Sequence, residues 1–474
     1  MIKPLVVTFA FSISVPALAQ YGGPNRSSAM VPSGGIYFSP EDQFNGSVAA
    51  GPVRAEPLEL SLQQAIDLGI KNNLGFLVRS TLNSAARADR LRVLSALLPD
   101  LSAGVTETDT QIDLAVYGFH LNNIPNVVGP FSYTDARASA ASPLFDWTAM
   151  KNLRSAAESA RAAALAVEDG RDLVVEAVAS GYFLVLADSG RLGAARTQAQ
   201  TAEALYRAAR DRHQAGLSAA IDELRAQVEA KTQQQRLVAA QNALARDQLA
   251  FARAIGLALG QSFRLTGEAA YQPLENLSAE DLLRRALESR ADYHSAEAQL
   301  RAAQIARQAA HAERYPAAYL IANYGVIGPT LASSHGTFTV AGSVTFNVFD
   351  GGRIRSELQS ADAEIERRRA ELGDLRGRID FEVRSALLDL GTAAEEVALA
   401  RDNLDLASQT LDQARDRFNA GVADTIEVVQ AQEALAAASF DVVGSVYAHN
   451  LAKVFLARAV GGAEVSLRQF LGGK

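Results

Sequence analysis

Thr337-Phe338-Thr339-Val340-Ala341-Gly342-Ser343-Val344-Thr345-Phe346-Asn347-Val348-Phe349 alternates small or polar residues with mostly apolar ones. A two-residue period sends one kind of side chain to each face, which is the pattern of a strand with a single apolar surface. The run of thirteen residues, 337–349, exceeds the usual soluble strand; a tilted bilayer crossing needs about 9–11. Its hairpin partner is 317–326, across a loop holding Gly328, Pro329 and Gly336. An earlier pair of strands, about 101–120 and 131–144, is joined around Pro125, Gly129 and Pro130. There Ala136, Ala138 and Ala140 fall on one face and Asp135, Arg137 and Ser139 on the other.

The flanks of the two hairpins are duplicates. Leu98-Pro99 and Tyr315-Pro316 each end a helical pattern, Ser61–Leu97 and Ser278–Arg314. Phe145-Asp146 and Phe349-Asp350 each open a longer one, and Ala215-Gly216-Leu217 and Ala420-Gly421-Val422 interrupt those at matching places. Ile221 then matches Ile426, Ala226-Gln227 matches Ala431-Gln432, and Gly256 matches Gly461. The offset is 217 before the Phe-Asp pair and 204–205 after it. Each copy therefore reads as helix, hairpin, long helix, turn, helix. The division expected is a repeat at 58–256, a linker at 257–277, a second repeat at 278–462 and a short tail at 463–474.

Proline distribution permits helices of unusual length. Residues 144–272 and 330–474 contain none, and proline is the residue that helix interiors tolerate least. The long patterns, about 146–214 and 350–419, would each extend about 105 Å at 1.5 Å per residue. In the second, Val383, Leu390, Val397, Leu404, Leu411 and Phe418 recur every seven residues, with Ala386, Ala393, Ala400, Ala407 and Ala414 three places after the first five. A strict heptad of this kind is coiled-coil packing, and alanine lets backbones approach closely. The first copy keeps the theme through Val178, Gly181, Val185, Leu192, Ala195, Ala202 and Ala209, with Asp188 interrupting it. The shorter flanking helices, end to end, match one long helix, so the pattern is a rod of short helices beside continuous ones.

At the N-terminus Lys3, an apolar run from Leu5 to Val15, and Ala17-Leu18-Ala19 follow the order of a secretory signal cleaved after residue 19. Residues 20–57, rich in Gly, Pro and Ser, read as an extended arm. The later Ala-rich stretches carry charges throughout and read as rod rather than as membrane-spanning helices. The chain has no cysteine, which removes disulfides, thiolate catalysis and lipid attachment at sulfur. A net charge of −8 excludes a broad nucleic-acid surface. The six histidines are scattered without ligand spacing, and neither a Walker loop nor a nucleophile elbow is present. No enzyme activity, cofactor or metal is expected.

Strands with one apolar face in an exported chain have to close into a barrel if they enter lipid, because open sheet edges are not tolerated there. Four strands are too few. Two chains would supply eight and three would supply twelve; the sequence physics leaves both open. The other reading is an exported periplasmic coiled-coil structural or assembly protein whose hairpins mediate association.

The order of signal peptide, duplicated helix–hairpin–helix–turn–helix, Val348-Phe349-Asp350-Gly351-Gly352-Arg353 leading into the long helix, and Ala-Gly followed by Ile and Ala-Gln resembles the TolC-like outer-membrane efflux proteins. The match spans about residues 58–462. The resemblance implies a mainly α fold with membrane β-hairpins: a homotrimer whose α-helical periplasmic barrel continues into a 12-stranded β-barrel in outer-membrane lipid. It further implies a passive exit duct of a tripartite efflux or type I secretion system. The partners would be a periplasmic adaptor (membrane fusion) protein and an inner-membrane pump of the RND, ABC or MFS type.

The same resemblance assigns candidate site residues. Gly216, Leu217, Gly421 and Val422 would form the turns at the periplasmic tip and meet the adaptor. In the family two aspartates follow the second glycine by six and nine positions and narrow the entrance; here these are Glu427 and Gln430. Asp222 matches a gate-lock aspartate, but its usual arginine partner falls at Ala423 and a linked tyrosine at Phe418. Arg225, three residues along the helix, is the alternative partner for Asp222. Ile221 and Phe418 point to a more apolar closure.

Overall fold

The computed structural model describes residues 44–471 except 45, 50, 54, 119–124, 268, 269, 275, 276, 423 and 424. The expected signal peptide, most of the arm, His120, Ala423 and Asp424 lie outside the described residues. The chain begins with a short strand, β1 (Leu58–Leu60), then α1 (Leu62–Asn72), α2 (Leu74–Ser95), β2 (Asp100–Asp113), β3 (Val127–Phe145), α3 (Trp147–Gln214) and α4 (Ala220–Ile255). After β4 (Phe263–Leu265) the plan recurs as α5 (Ala279–Ser289), α6 (Ala291–Ala312), β5 (Ala317–Gly328), β6 (His335–Thr345), α7 (Arg353–Asn419) and α8 (Thr425–Val460), closed by α9 (Ala463–Phe470). The copies agree closely: α1 and α5 have 11 residues, α2 and α6 have 22, α4 and α8 have 36.

The Phe-Asp pairs act as helix starters. Asp146 accepts from the Ala149 N–H at 2.9 Å, and Asp350 accepts from the Gly352 and Ile354 N–H groups at 2.9 and 3.0 Å. These carboxylates satisfy amide donors that a helix start leaves unpaired, and they sit at the favourable end of its dipole. With 68 residues, α3 extends about 100 Å. Its first half packs on α2 and α6, where Ser155 and Ser295 bond across to the Ala302 and Ala162 carbonyls. Its second half packs on α4, and α7 is flanked in the same way by α6 and α8. The heptad seam of α7 is buried at Val383, Ala386, Leu390, Ala393, Val397, Ala407, Leu411 and Ala414. An 18-residue window of α3 reaches a mean hydropathy of 1.4, more apolar than charges spread throughout the rod would allow; 67% of it is buried inside the fold, as befits a core stretch.

Three expectations need correction. First, each 37-residue helical pattern is two helices, broken at Asn73 and Arg290, which are again 217 positions apart (290 minus 73). Asn73 is fully buried in an extended conformation, and its side chain accepts from the Gly75 and Phe76 N–H groups. Arg290 has no side-chain cap; it is 2% exposed because Asp292 and Glu382 take its guanidinium. Burial alone would push that guanidinium down, but the two carboxylates more than reverse it and hold it charged. Second, β6 starts at His335 and stops at Thr345, four residues short of 349. Ala317 pairs with Thr345, and Pro316 before it offers no N–H to extend the ladder. The first hairpin shifts likewise: β2 ends at Asp113, whose side chain caps a 3-10 turn at Leu114–Tyr117, so 114–118 are not strand as expected, and 119 and 120 lie outside the described residues. Third, the arm, linker and tail contribute to the fold. Gly46 and Val48 bond to the α1–α2 junction, β1 pairs in parallel with β4, and the tail forms α9.

The hairpins join into one antiparallel sheet of order β2-β3-β5-β6, with β3 and β5 pairing between the repeats. Its outer strands, β2 and β6, come one from each copy.

Gly256 ends α4 with φ +78°, and a Cβ there would stand 2.3 Å from Asn72 Cβ. At Gly216 (φ +74°) the same Cβ would meet nothing within 4 Å. Left-handed backbone costs a non-glycine residue about 1–2 kcal/mol. Gly256→Ala should therefore lose that amount plus a clash, and Gly216→Ala that amount alone. Chemical unfolding of the purified protein tests the order; equal losses would mean that Asn72 yields freely.

Candidate functional site

The far end of the helical rod is built twice from the same turn. At the first, the Ala215, Gly216 and Leu217 N–H groups return to the Asp211, His213 and Arg212 carbonyls. At the second, those of Ala420, Gly421 and Val422 return to Asp416, Phe418 and Arg417. Gly216 and Gly421 have φ of +74° and +75°, the left-handed conformation that ends a helix and that glycine adopts without strain. Leu217 and Val422 project from the turns and are 79% and 67% exposed. Ile221, Leu224 and Val228 continue an exposed apolar strip along α4.

Phe418 packs against the small tip core of Leu411, Ala414, Val428 and Ala431. The Arg212 guanidinium lies 4.1 Å over its ring, and Nη1 donates to the Phe418 carbonyl at 3.4 Å, tying the end of α3 to the end of α7. Glu427 pairs with Arg417 at 2.9 Å. Asp222 stands 3.7 Å from Arg225, the partner expected in place of the missing arginine. Gln430 is exposed one turn beyond Glu427. The two carboxylates therefore sit in separate ion pairs. Arg212 and Arg417 escaped the sequence reading, although the duplication carried the signal: each stands four residues before its turn glycine.

The sheet at the other end has two unlike faces. Register puts Leu101, Ala140, Ala322 and Val340 in one row and Ala103, Ala138, Tyr324 and Phe338 in the next. Phe338 is 75% exposed and Tyr324 67%. At the base Trp147, the chain's single tryptophan, meets Phe145 edge-on at 5.2 Å. Aromatic rings with a polar edge favour the boundary between hydrocarbon and water. On the opposite face Arg137 sits between Gly104 and Gly325 in its row. Its guanidinium spans three strands, bonding Asp135 (3.1 Å), Asn323 (2.6 Å) and Thr337 (3.3 Å).

Among the described residues no group of three or more His, Cys, Asp or Glu is placed to hold a metal. Midway along the rod Asp169 accepts from Arg79 (2.7 Å) and Arg458 (2.6 Å), and Asp172 accepts from the Gly462 and Ala463 N–H groups. This network fastens α2, α8 and the start of α9 to α3.

A rod of duplicated coiled-coil helices ending in a sheet with one lipid-compatible face defines an outer-membrane channel class. The model of the outer membrane efflux protein family matches residues 80–257 and 282–462. The chain belongs to that family. Over 405 residues, 82% of each chain, it is 27% identical to the pyoverdine export outer membrane protein OpmQ of Pseudomonas aeruginosa. Its fold is that of a membrane protein from Pseudomonas aeruginosa (TM-score 0.76, 20% identity, 93% of this chain and 97% of that one). The CmeC outer membrane channel of Campylobacter jejuni shares it as well (TM-score 0.75, 16% identity, 93% and 94%). The chain is accordingly an outer-membrane efflux protein and not an enzyme.

A half-exposed cation–π contact stabilises by about 0.5–2 kcal/mol. Arg212→Ala should therefore raise the rate of protease nicking in the 215–219 turn several-fold. Arg210→Ala, which removes only a surface pair with Asp211, should leave it unchanged. Identical rates in the two variants would deny the Arg212–Phe418 contact any hold on the tip.

Proposed function

We propose that three copies of the chain form a passive exit duct: a 12-stranded barrel in the outer membrane, continuous with an α-helical tunnel through the periplasm. The observation that carries this reading is the sheet. It has four strands, two unpaired edges and an exposed apolar face, and such a sheet cannot enter lipid until its edges are closed by other copies. Along α7, Phe381, Leu388, Leu399 and Leu406 form an exposed apolar stripe that suits the helices of a neighbouring copy. The face carrying Arg137, Asp135, Asn323 and Thr337 would line the lumen. The division into signal peptide, arm, two repeats, linker and tail belongs to the same reading.

In this arrangement the tip is the entrance. Gly216, Leu217, Gly421 and Val422 would meet a periplasmic adaptor, which couples the duct to an inner-membrane pump of the RND, ABC or MFS type. Glu427 would form a ring of three carboxylates, with Gln430 behind it. Asp222 and Phe418 would complete the closure, more apolar than a ring of six acids. The pump supplies the energy, so the duct needs no catalytic group. The relative named for pyoverdine export makes small molecules the cargo to assay first.

Two measurements test the reading. Detergent-corrected light scattering of the purified protein should give three times the mass of the mature chain; a monomer would overturn the duct. In planar bilayers Glu427→Gln should reduce cation preference or cation block, because it removes the ring charge and frees Arg417. Unchanged selectivity would remove Glu427 from the entrance while leaving the duct intact.

A further inference from the structure

Asp188 occupies a seam position of α3 and is 4% exposed. Its Oδ1 accepts from Arg191 Nη1 at 2.8 Å. Its Oδ2 is buried and meets no donor among the described residues. Opposite it on α4 stands Asp247, within hydrogen-bond reach. Two ionised carboxylates cannot donate to each other; one protonated carboxyl can donate to its neighbour. From α8 Tyr447 brings a hydroxyl that is also buried without a partner. The charged groups facing the pair are Arg191 of α3 and Arg246 of α4.

The second repeat shows what this position is like without acids. At the offset of 205, Asp188 corresponds to Ala393 and Asp247 to Ala452. Both alanines are buried, at 5% and 4% exposure. Packing at this level of the rod therefore does not need carboxylates, and only the first repeat carries them.

We propose that Asp188 and Asp247 form a carboxyl–carboxylate pair that binds one shared proton between α3 and α4, an acid-sensing site where α8 joins them. The donor missing at Asp188 Oδ2 is then the Asp247 hydroxyl. Burial, then the hydrogen bond and charge of Asp188, raise Asp247 to about 7, against the pull of Arg246 and Arg191. Burial pushes the Tyr447 phenol up to about 12, so it stays neutral and adds no charge beside the pair. A carboxyl raised in the folded state binds more protons folded than unfolded. Its contribution is therefore full below the ordinary Asp value near 4 and is lost as pH rises through 7. The site needs neither the barrel nor the trimer, so its failure would leave the duct standing.

The test compares the full-length protein in detergent with Asp247→Asn between pH 5 and pH 8.5. The wild-type thermal midpoint should fall as pH rises from 5 to about 7 and level off above it. The variant, whose amide donates to Asp188 at every pH, should lose that dependence. An undiminished pH slope in Asp247→Asn overturns the proposal. Because a variant can be perturbed in folding, infrared difference spectra of the wild type between pH 6 and pH 8 give a second reading. A protonated-carboxyl band lost at pH 8, and absent from both Asp247→Asn and Asp188→Asn, is expected. No such band in the wild type also overturns it.

Discussion

Every backbone N–H and C=O that enters hydrocarbon needs a partner within the protein. The four-stranded sheet of this chain leaves two rows without one, along β2 and β6. Much of the remaining architecture follows from that constraint. The hairpins pair through β3 and β5, so each copy contributes one inner and one outer strand. In the proposed barrel a neighbouring copy would set a β2 from the first repeat against a β6 from the second, continuing the alternation already present within the chain. The four strand ends also sit side by side, so α2, α3, α6 and α7 leave or enter the sheet as a row of helices. A rod built from short helices beside continuous ones is the form such a row takes.

The rod in turn depends on where its short helices stop. The breaks at Asn73 and Arg290 lie near mid-rod, where the charged network gathers. Asp169 bonds Arg79 from α2 and Arg458 from α8, which joins the two repeats through one carboxylate. Buried ion pairs carry a desolvation cost that a single contact seldom offsets. Here the side chains are shared: Asp169 serves two arginines, Arg290 two carboxylates, and Asp172 two amides at the start of α9. Removing one member would strand several others, so the network fixes position at mid-rod rather than simply adding stability.

Features governed by a local period were legible in the sequence. The alternation of 337–345, the heptads of α7 and the turn glycines each express a rule that operates within a few residues. The duplication made them specific. What escaped the sequence depends on contacts between distant segments. Arg290 ends a helix with no cap signal, because Asp292 and Glu382 hold it there, and Glu382 is 92 residues away. The β1–β4 pair is three residues long on each side and joins segments about two hundred positions apart, too short for any periodic signal. The alternation outruns the strand for a similar reason: Phe346 and Val348 keep it, but the ladder terminates where Ala317 meets Thr345, next to Pro316. Candidate tip residues were legible through family resemblance, whereas their ion pairs were not.

The tip shows how a duplicated sequence yields unequal ends. Arg212 and Arg417 occupy equivalent positions, as do Asp222 and Glu427. In the second copy Arg417 takes Glu427, the acid of its own repeat. In the first copy the equivalent pairing does not form, because Arg225 takes Asp222. Arg212 is thereby left for Phe418, which belongs to the other repeat. One added arginine on α4 thus converts what would be a second internal ion pair into a bridge between the copies. The bridge is a cation on a ring rather than a charge pair, so it depends less on salt than an exposed ion pair would. The end of α3 is thereby tied to the end of α7 across the repeats, although position 423 carries alanine.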